Sequence, residues 1–209
     1  MKIDAVELTL FAWDDIPPTK YNQGAQNTSG RSNLGLLRIN TDAGIEGHAF
    51  LGSATNPAET DAGALIRVLK PLLMGRDPRA REDLHAAMRA RQRVTGLRAI
   101  GACDTALWDI CAKAAGVPLY RLLGSDRSAI GAYASSQILD SRDAYAGEAA
   151  AFKSHGWKAY KIHPPQNPSE DIKVCETVRR AVGDDFPLML DSTWSYRYHD
   201  AVRVGRAIE

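Results

Sequence analysis

The sequence predicts two regions of different fold class, an α+β domain over residues 1–125 and a parallel α/β piece of three βα units over 126–209. Three observations predict this. The first part alternates apolar and polar residues around tight turns, the middle repeats apolar residues at helical spacing, and after "LLGSDRSA" strand and helix patterns alternate.

Ile3, Val6, Leu8 and Leu10 alternate within residues 2–13 and predict a strand. Asp14 to Asn33, "DDIPPTKYNQGAQNTSGRSN", has no period and reads as a long loop, of the kind that is usually functional or disordered. "LGLLRINTDAGIEGHAFLG" supplies two alternating runs about Asp42-Ala43-Gly44, a β-hairpin. A helix then starts at the Asn56-Pro57 signal, with Leu65, Leu69, Leu72 and Leu73 recurring on it and Pro71 expected to kink or end it. Arg79 to Arg93 is charged and amphipathic, a surface helix. "LRAIGACDTALWDICAKAAG" is the most apolar helix and stops at Gly116-Val117-Pro118. The boundary is placed near Gly124 to Ser128. Beyond it, "AIGAYASSQI", "WKAYKIH" and "FPLMLDS" read as strands. Helices follow each: Ser141 to His155, then Ser169 to Val182 with Ile172, Cys175, Val178 and Val182 along one face, then "YHDAVRVGRAIE". Consecutive βα units imply a parallel sheet.

Composition narrows the function. The chain has 209 residues, 44% hydrophobic and 24% charged, with a net charge of +1 and both signs interspersed. There is no basic footprint for nucleic acid and no acidic tail, so small-molecule or protein partners are expected. Cys103, Cys111 and Cys175 form no paired framework and read as small buried hydrophobes in a reducing compartment. No secretory signal pattern and no apolar run near the roughly 20 residues of a membrane span is present, so the cytoplasm is expected.

Two later strands end in ionisable residues, Lys161 and His163 on one and Asp191 on the next. Strand side chains alternate faces, so Lys161 and His163 point one way and Tyr160 and Ile162 the other. In parallel α/β folds ligands bind at the C-terminal ends of strands. A lysine ammonium beside a histidine lowers the imidazole pKa by like-charge repulsion, toward the range of a general base, and an Asp at a strand end can ligate a hard metal. Alone, a strand-end Asp is usually a turn former and a lone His a satisfied structural residue. Clustered on adjacent βα units they point to a site.

These segments resemble the mandelate racemase and muconate lactonizing enzyme group of the enolase superfamily. The resemblance rests on "NTDAGIEGHAFLG", "AIGACDTALWDICAKAAGVPLYRLLG", "YKIH" and "LMLDSTW" and runs over essentially the whole chain. It implies an α+β capping domain followed by an incomplete (β/α) TIM-type barrel, first three βα units only, with Asp14–Asn33 and Phe50–Asn56 as lid loops from the cap. It also implies an enzyme that abstracts the proton α to a carboxylate and uses Mg2+ against the developing charge, the chemistry for which this superfamily is a known example. Carried over by position, Lys161 is the electropositive partner, His163 the base and Asp191 a metal ligand. Lys20, Tyr21, Arg31, Tyr133, Ser135 and Trp194 are expected to contact substrate, with Ser136 lining the same mouth.

The usual Lys-x-Lys of the second strand is Lys-x-His here, so the base is expected to be imidazole; Thr193 stands where Asn is frequent. If the barrel begins near Asp126, residues 126–209 fall far short of the roughly 250 of a complete barrel. The expectation is therefore a truncated chain, inactive alone, of an acid-sugar dehydratase or 2-hydroxy-acid racemase acting on a small-molecule carboxylate. Alternatives are a cycloisomerase or dipeptide epimerase, and a non-catalytic remnant serving as an assembly module. A homo-oligomer is compatible with all three.

Overall fold

The computed structural model describes residues 1–24 and 28–209. Contacts gather the chain into two compact units, Met1–Ile16 with Ser29–Arg127, and Pro17–Thr28 with Ser128–Glu209.

The sheet associated with the first unit has the order β1-β2-β3, with β1 Ile3–Thr19, β2 Thr28–Thr41 and β3 Glu46–Leu51. β2 and β3 pair antiparallel, from Asn40 opposite Glu46 beside the turn to Gly35 opposite Leu51. Gly44 completes that turn at φ 72, a left-handed backbone that glycine adopts without penalty. The loop expected over 14–33 is mostly strand: β1 runs on to Thr19 and β2 starts at Thr28, leaving 20–24 between them and 25–27 outside the described residues. Pro17 and Pro18 hide the strand from a reading by propensity, yet β1 is an edge of this sheet, where a missing N–H is tolerated.

Val6, Leu37 and Ile39 turn from the sheet into a core completed by the helices. The first of these is α1 (Glu59–Ala64), which widens into a π turn at Leu65–Leu69 and resumes as α2 (Lys70–Leu73). The kink expected at Pro71 takes this form: the proline lacks a ladder donor and crowds the preceding turn, and the ladder loosens just ahead of it. Leu65, Leu69 and Leu73 are fully buried, as are Leu84 and Met88 from α3 (Arg81–Arg89). α4 (Gln92–Ala114) contributes Ile100, Cys103, Leu107 and Ile110, and its two helical pieces meet at Gly96, whose φ 71 and ψ 163 are not helical. α4 seats directly on β3, so closely that a Cβ built on Gly47 would lie 2.1 Å from the Ala106 carbonyl oxygen. A single turn, α5 (Leu119–Leu122), follows.

The second unit repeats strand and helix three times: β4 (Ala134–Ser135), α6 (Arg142–Ser154), β5 (Tyr160–Ile162), α7 (Pro168–Val182), β6 (Leu188–Leu190) and α8 (Tyr198–Ile208). β5 lies between β4 and β6 and pairs parallel with both. The strands are shorter than the apolar runs suggested, because the flanking residues leave the ladder to form turns and caps. Ser141 caps α6 by accepting from Ala144 N at 3.1 Å. Asn167 caps α7 in the same way, accepting from Ser169 N and Glu170 N. The buried stripe of α7 is Asp171, Val174, Val178 and Val182, not the expected stripe led by Ile172, which is only half-buried. Tyr160 and Ile162 pack with Tyr145 and Ala149 of α6 and with Val174 and Val178 of α7.

All three cysteines are free thiols. Burial pushes Cys103 up to about 12 and Cys175 to about 11, which suits packing and not nucleophilic chemistry. Among the described residues, no helix is long and apolar enough to cross a membrane.

Candidate active site

The parallel register decides what meets at the strand ends. Ser135 pairs with Lys161, and Lys161 with Met189, so the residues just beyond each strand emerge side by side. Ser136 N donates to Lys161 O at 2.9 Å and Asp191 N to Ile162 O at 2.9 Å, which extends the pairing past the strands and brings Ser136, His163 and Asp191 to one edge.

Lys161 and His163 share a face, as the alternation requires, and both reach the same atom. Lys161 Nζ donates to Asp191 Oδ2 at 3.2 Å, and His163 Nε2 lies 3.4 Å from that oxygen. The lysine side chain is 21% exposed and the histidine 7%, whereas Asp191 is 41% exposed, so the cluster is open to solvent on the carboxylate side. Asp191 is further fixed by Thr193 N, which donates to Oδ1 at 3.1 Å. Burial alone would raise the Asp191 carboxyl, but the Lys161 hydrogen bond, the Thr193 amide and the nearby imidazole bring it below its ordinary value. The like-charge argument from sequence therefore omits a third group, because a carboxylate stands between the ammonium and the imidazole.

The imidazole is held on its other side. His163 Nδ1 is 2.6 Å from the Ser136 carbonyl oxygen, and Ser135 Oγ lies 3.5 Å away. A carbonyl can only accept, so Nδ1 carries the proton and the neutral ring has its lone pair on Nε2. The backbone beneath is fixed as well: His163 N donates to Ser136 Oγ at 2.9 Å, and Tyr145 Oη, reaching up from α6, donates to His163 O at 2.7 Å. What results is a buried imidazole of defined tautomer facing outward beside a cation and a carboxylate.

Of the residues expected to contact substrate, three converge here. Tyr21 stands edge-on to the His163 ring, centroids 4.8 Å apart, Tyr133 lies under the Lys161 ammonium at 5.5 Å, and Ser135 is beside Nδ1. Lys20 enters through its backbone, which accepts from Ile138 N and donates to Gln137 Oε1. Trp194 follows the Asp191 turn but is 94% exposed. Arg31 belongs to the first unit, where it pairs with Asp14 at 3.1 Å. Sequence reasoning missed Tyr145 and Gln166. The signal for Gln166 was its place in "PPQNP", where prolines on both sides fix the path of a polar residue.

Among the described residues no group of three or more His, Cys, Asp or Glu side chains could hold a metal ion. Mg2+ is often bound through one or two carboxylates completed by waters and substrate oxygens. Asp191 suits it as a single hard ligand; the described residues do not form a cage.

Residues 7–124 match the family described as mandelate racemase / muconate lactonizing enzyme, N-terminal domain, and residues 144–209 match enolase C-terminal domain-like. The chain is 32% identical to a D-galactarolactone cycloisomerase of Agrobacterium fabrum, over 98% of this chain and 55% of that protein. It is likewise 32% identical to an L-talarate/galactarate dehydratase of Salmonella typhimurium, over 66% of this chain and 36% of that protein. The crystal structure of a D-glucarate dehydratase from Agrobacterium tumefaciens complexed with magnesium superposes with a TM-score of 0.80 at 28% identity, over 100% of this chain and 58% of that one. The chain spans about half the length, or less, of these relatives. A capping-domain match over more than half the sequence, joined to part of the barrel domain, settles the assignment: this chain belongs to the mandelate racemase / muconate lactonizing enzyme family of the enolase superfamily.

Proposed function

We propose that this chain supplies the capping domain and the first three βα units of a barrel to an enzyme that removes the proton α to the carboxylate of an acid sugar. The observation that carries the reading is the shared approach of Lys161 Nζ and His163 Nε2 to Asp191 Oδ2, with the His163 tautomer fixed by Ser136. In this reading His163 Nε2 takes the proton, and Nδ1–H passes no proton but holds the ring against the Ser136 carbonyl. The Lys161 ammonium faces the charge that develops on the substrate carboxylate, in a pocket edge where fixed charge does not have to reorganise. Asp191 would be one ligand of a Mg2+ ion that, when bound, supplies further positive charge there; its other ligands would lie outside the described residues. Relatives that act on galactarolactone and on talarate or galactarate support a polyhydroxylated acid as substrate. The cycloisomerase, matched over 98% of the chain, supports a second outcome, isomerisation in place of dehydration. Both begin with the same proton.

The 209-residue chain alone is expected to show no turnover. The test therefore uses the longest in-frame protein that contains it, a panel of acid sugars, Mg2+ and deuterated solvent. His163→Asn keeps a side-chain N–H near the position of Nδ1, so the Ser136 bond survives while Nε2 is lost. Solvent exchange of the α-proton should fall by about 100-fold or more, the scale of a positioned general base. Exchange that persists in His163→Asn and disappears in Lys161→Ala reverses the base assignment. Normal exchange in both variants makes the pair structural.

A further inference from the structure

The Gln166 side chain bonds both the Tyr21 segment and the turn that follows Asp191. Its carboxamide oxygen accepts from Gln23 N at 2.7 Å. Its Nε2 donates to Tyr21 O at 3.4 Å and to Ser192 O at 3.0 Å. Both protons and the oxygen of the amide are thus in use, and its orientation is unambiguous, since the two carbonyls can only accept and the amide N–H can only donate. Asn22 makes a parallel tie, its Nδ2 donating to Thr193 O at 2.7 Å.

These ties hold backbone that ordinary residues avoid. Among the described residues four non-glycine residues have positive φ; one is Gln166 itself (68), and two, Thr193 (47) and Trp194 (62), lie in the turn after Asp191 that it holds. Such conformations persist where the surroundings over-determine them, and they cluster at sites of function. The two things joined are the ring standing on His163 and the turn carrying Asp191.

We propose that Gln166 is a positioning residue, which sets Tyr21 against His163 and the Asp191 turn beside it in one geometry, so that residues 20–24 and 191–194 are ordered or released together. The catalytic consequence rests on the proposed role of His163; the coupling itself does not, and the two are tested by different measurements.

The experiment is NMR and amide exchange on the 209-residue chain, without ligand. Gln166→Glu retains the acceptor for Gln23 N but turns the doubly donating Nε2 into a single oxygen that faces the carbonyls of both Tyr21 and Ser192. Gln166→Ala removes all three bonds. Gln166→Gly also removes them while relaxing the positive φ, and so carries the test should the alanine variant fail to fold. In each, the Gln23 amide should exchange at least tenfold faster, the Ser192–Thr193 amides should follow, and the His163 ring-proton shifts should move toward those of Tyr21→Leu. A merely structural Gln166 would lower the melting temperature without moving the His163 ring signals. Unchanged His163 shifts in all three variants, with Tyr21→Leu displacing them, would overturn the proposal. Failure of the proton-exchange test with the coupling intact would leave Gln166 a positioning residue of a site whose base is misassigned.

Discussion

Tyr145→Phe isolates the support beneath His163. The Tyr145 ring is 1% exposed and its hydroxyl has two partners: it donates to His163 O at 2.7 Å and accepts from Leu139 N at 2.9 Å. Phenylalanine keeps the ring and its packing, so no cavity opens, but both partners lose their bond. An unsatisfied buried polar group costs about 1–3 kcal/mol. The Leu139 amide is only half-buried and should fall at the low end, near 1 kcal/mol, while the buried His163 carbonyl sits in the middle, near 2 kcal/mol. The expected loss is about 3 kcal/mol in the second unit, read from urea denaturation followed by exchange of the α6 and β5 amides. There is also a pH signature. Burial pushes the Tyr145 phenol up to about 12, from an ordinary value near 10. The wild-type contribution is therefore complete below about pH 10 and lost as pH rises toward and through about 12, so the gap between wild type and Tyr145→Phe should close over that window. A loss below about 0.5 kcal/mol at pH 7, or a gap that widens above pH 10, would refute the reasoning.

Asp171→Asn should behave unlike most losses of a buried charge. Asp171 is fully buried, and burial raises its carboxyl against hydrogen bonds from Tyr196 and the Asn167 amide that lower it. A raised folded value means that the wild-type contribution is complete below the ordinary carboxylate range and lost as pH rises through the folded value. Wild type should therefore lead the asparagine variant by more at pH 4 than at pH 7 in urea midpoint, and the reverse order would show the carboxylate to be the favoured form. Gly47→Ala should destabilise the first unit by about 3 kcal/mol or more, the upper end of overpacking, because the new methyl meets backbone and not a movable side chain. Thermal unfolding reads this, and a change under about 1 kcal/mol would mean that α4 shifts away from β3 at little cost.

What could be read from the sequence was what depends on short-range periodicity. Alternation by two put Lys161 and His163 on one face and Tyr160 and Ile162 on the helices, and the repeat of βα units put Asp191 at the end of the next strand in sequence; that this strand lies beside β5 is a feature of the fold. The Ser141 cap and the stop at Gly156 followed from residue chemistry in the same way, whereas the Asn167 cap was not read and α7 starts a residue earlier than expected. The 14–33 segment was misread because its Pro, Gly, Asn and Ser interrupt any period, while its strand stretches are the end of β1 and the start of β2, held by the pairing of those two strands and not by local propensity. Gln166 and Tyr145 escaped because the partners that tie them to the site are distant in sequence: His163 lies 18 positions from Tyr145, and Ser192, Gln23 and Tyr21 lie 26 to 145 positions from Gln166, and nothing local to "PPQNP" or "RDAYAGE" records where those partners are.

The difference matters most at His163. From sequence its neighbour was a lysine, and a cation two positions away argues for an imidazole kept neutral by repulsion. The fold adds Asp191 to the same contact, 3.2 Å from the ammonium and 3.4 Å from Nε2, so the charge nearest to the imidazole is shared between opposite signs. Whatever draws Asp191 away, a substrate carboxylate recruiting Lys161 or a cation recruiting Asp191 itself, changes the balance at Nε2 without moving the ring, because Ser136 and Tyr145 hold it from behind. On the proposed roles of His163 and Asp191, ligand entry and the base are linked through one carboxylate, and Asp191→Asn should separate them: the ring stays in place, its tautomer unchanged, while the response of its Nε2 chemical shift to added acid sugar or Mg2+ in the longer protein is lost.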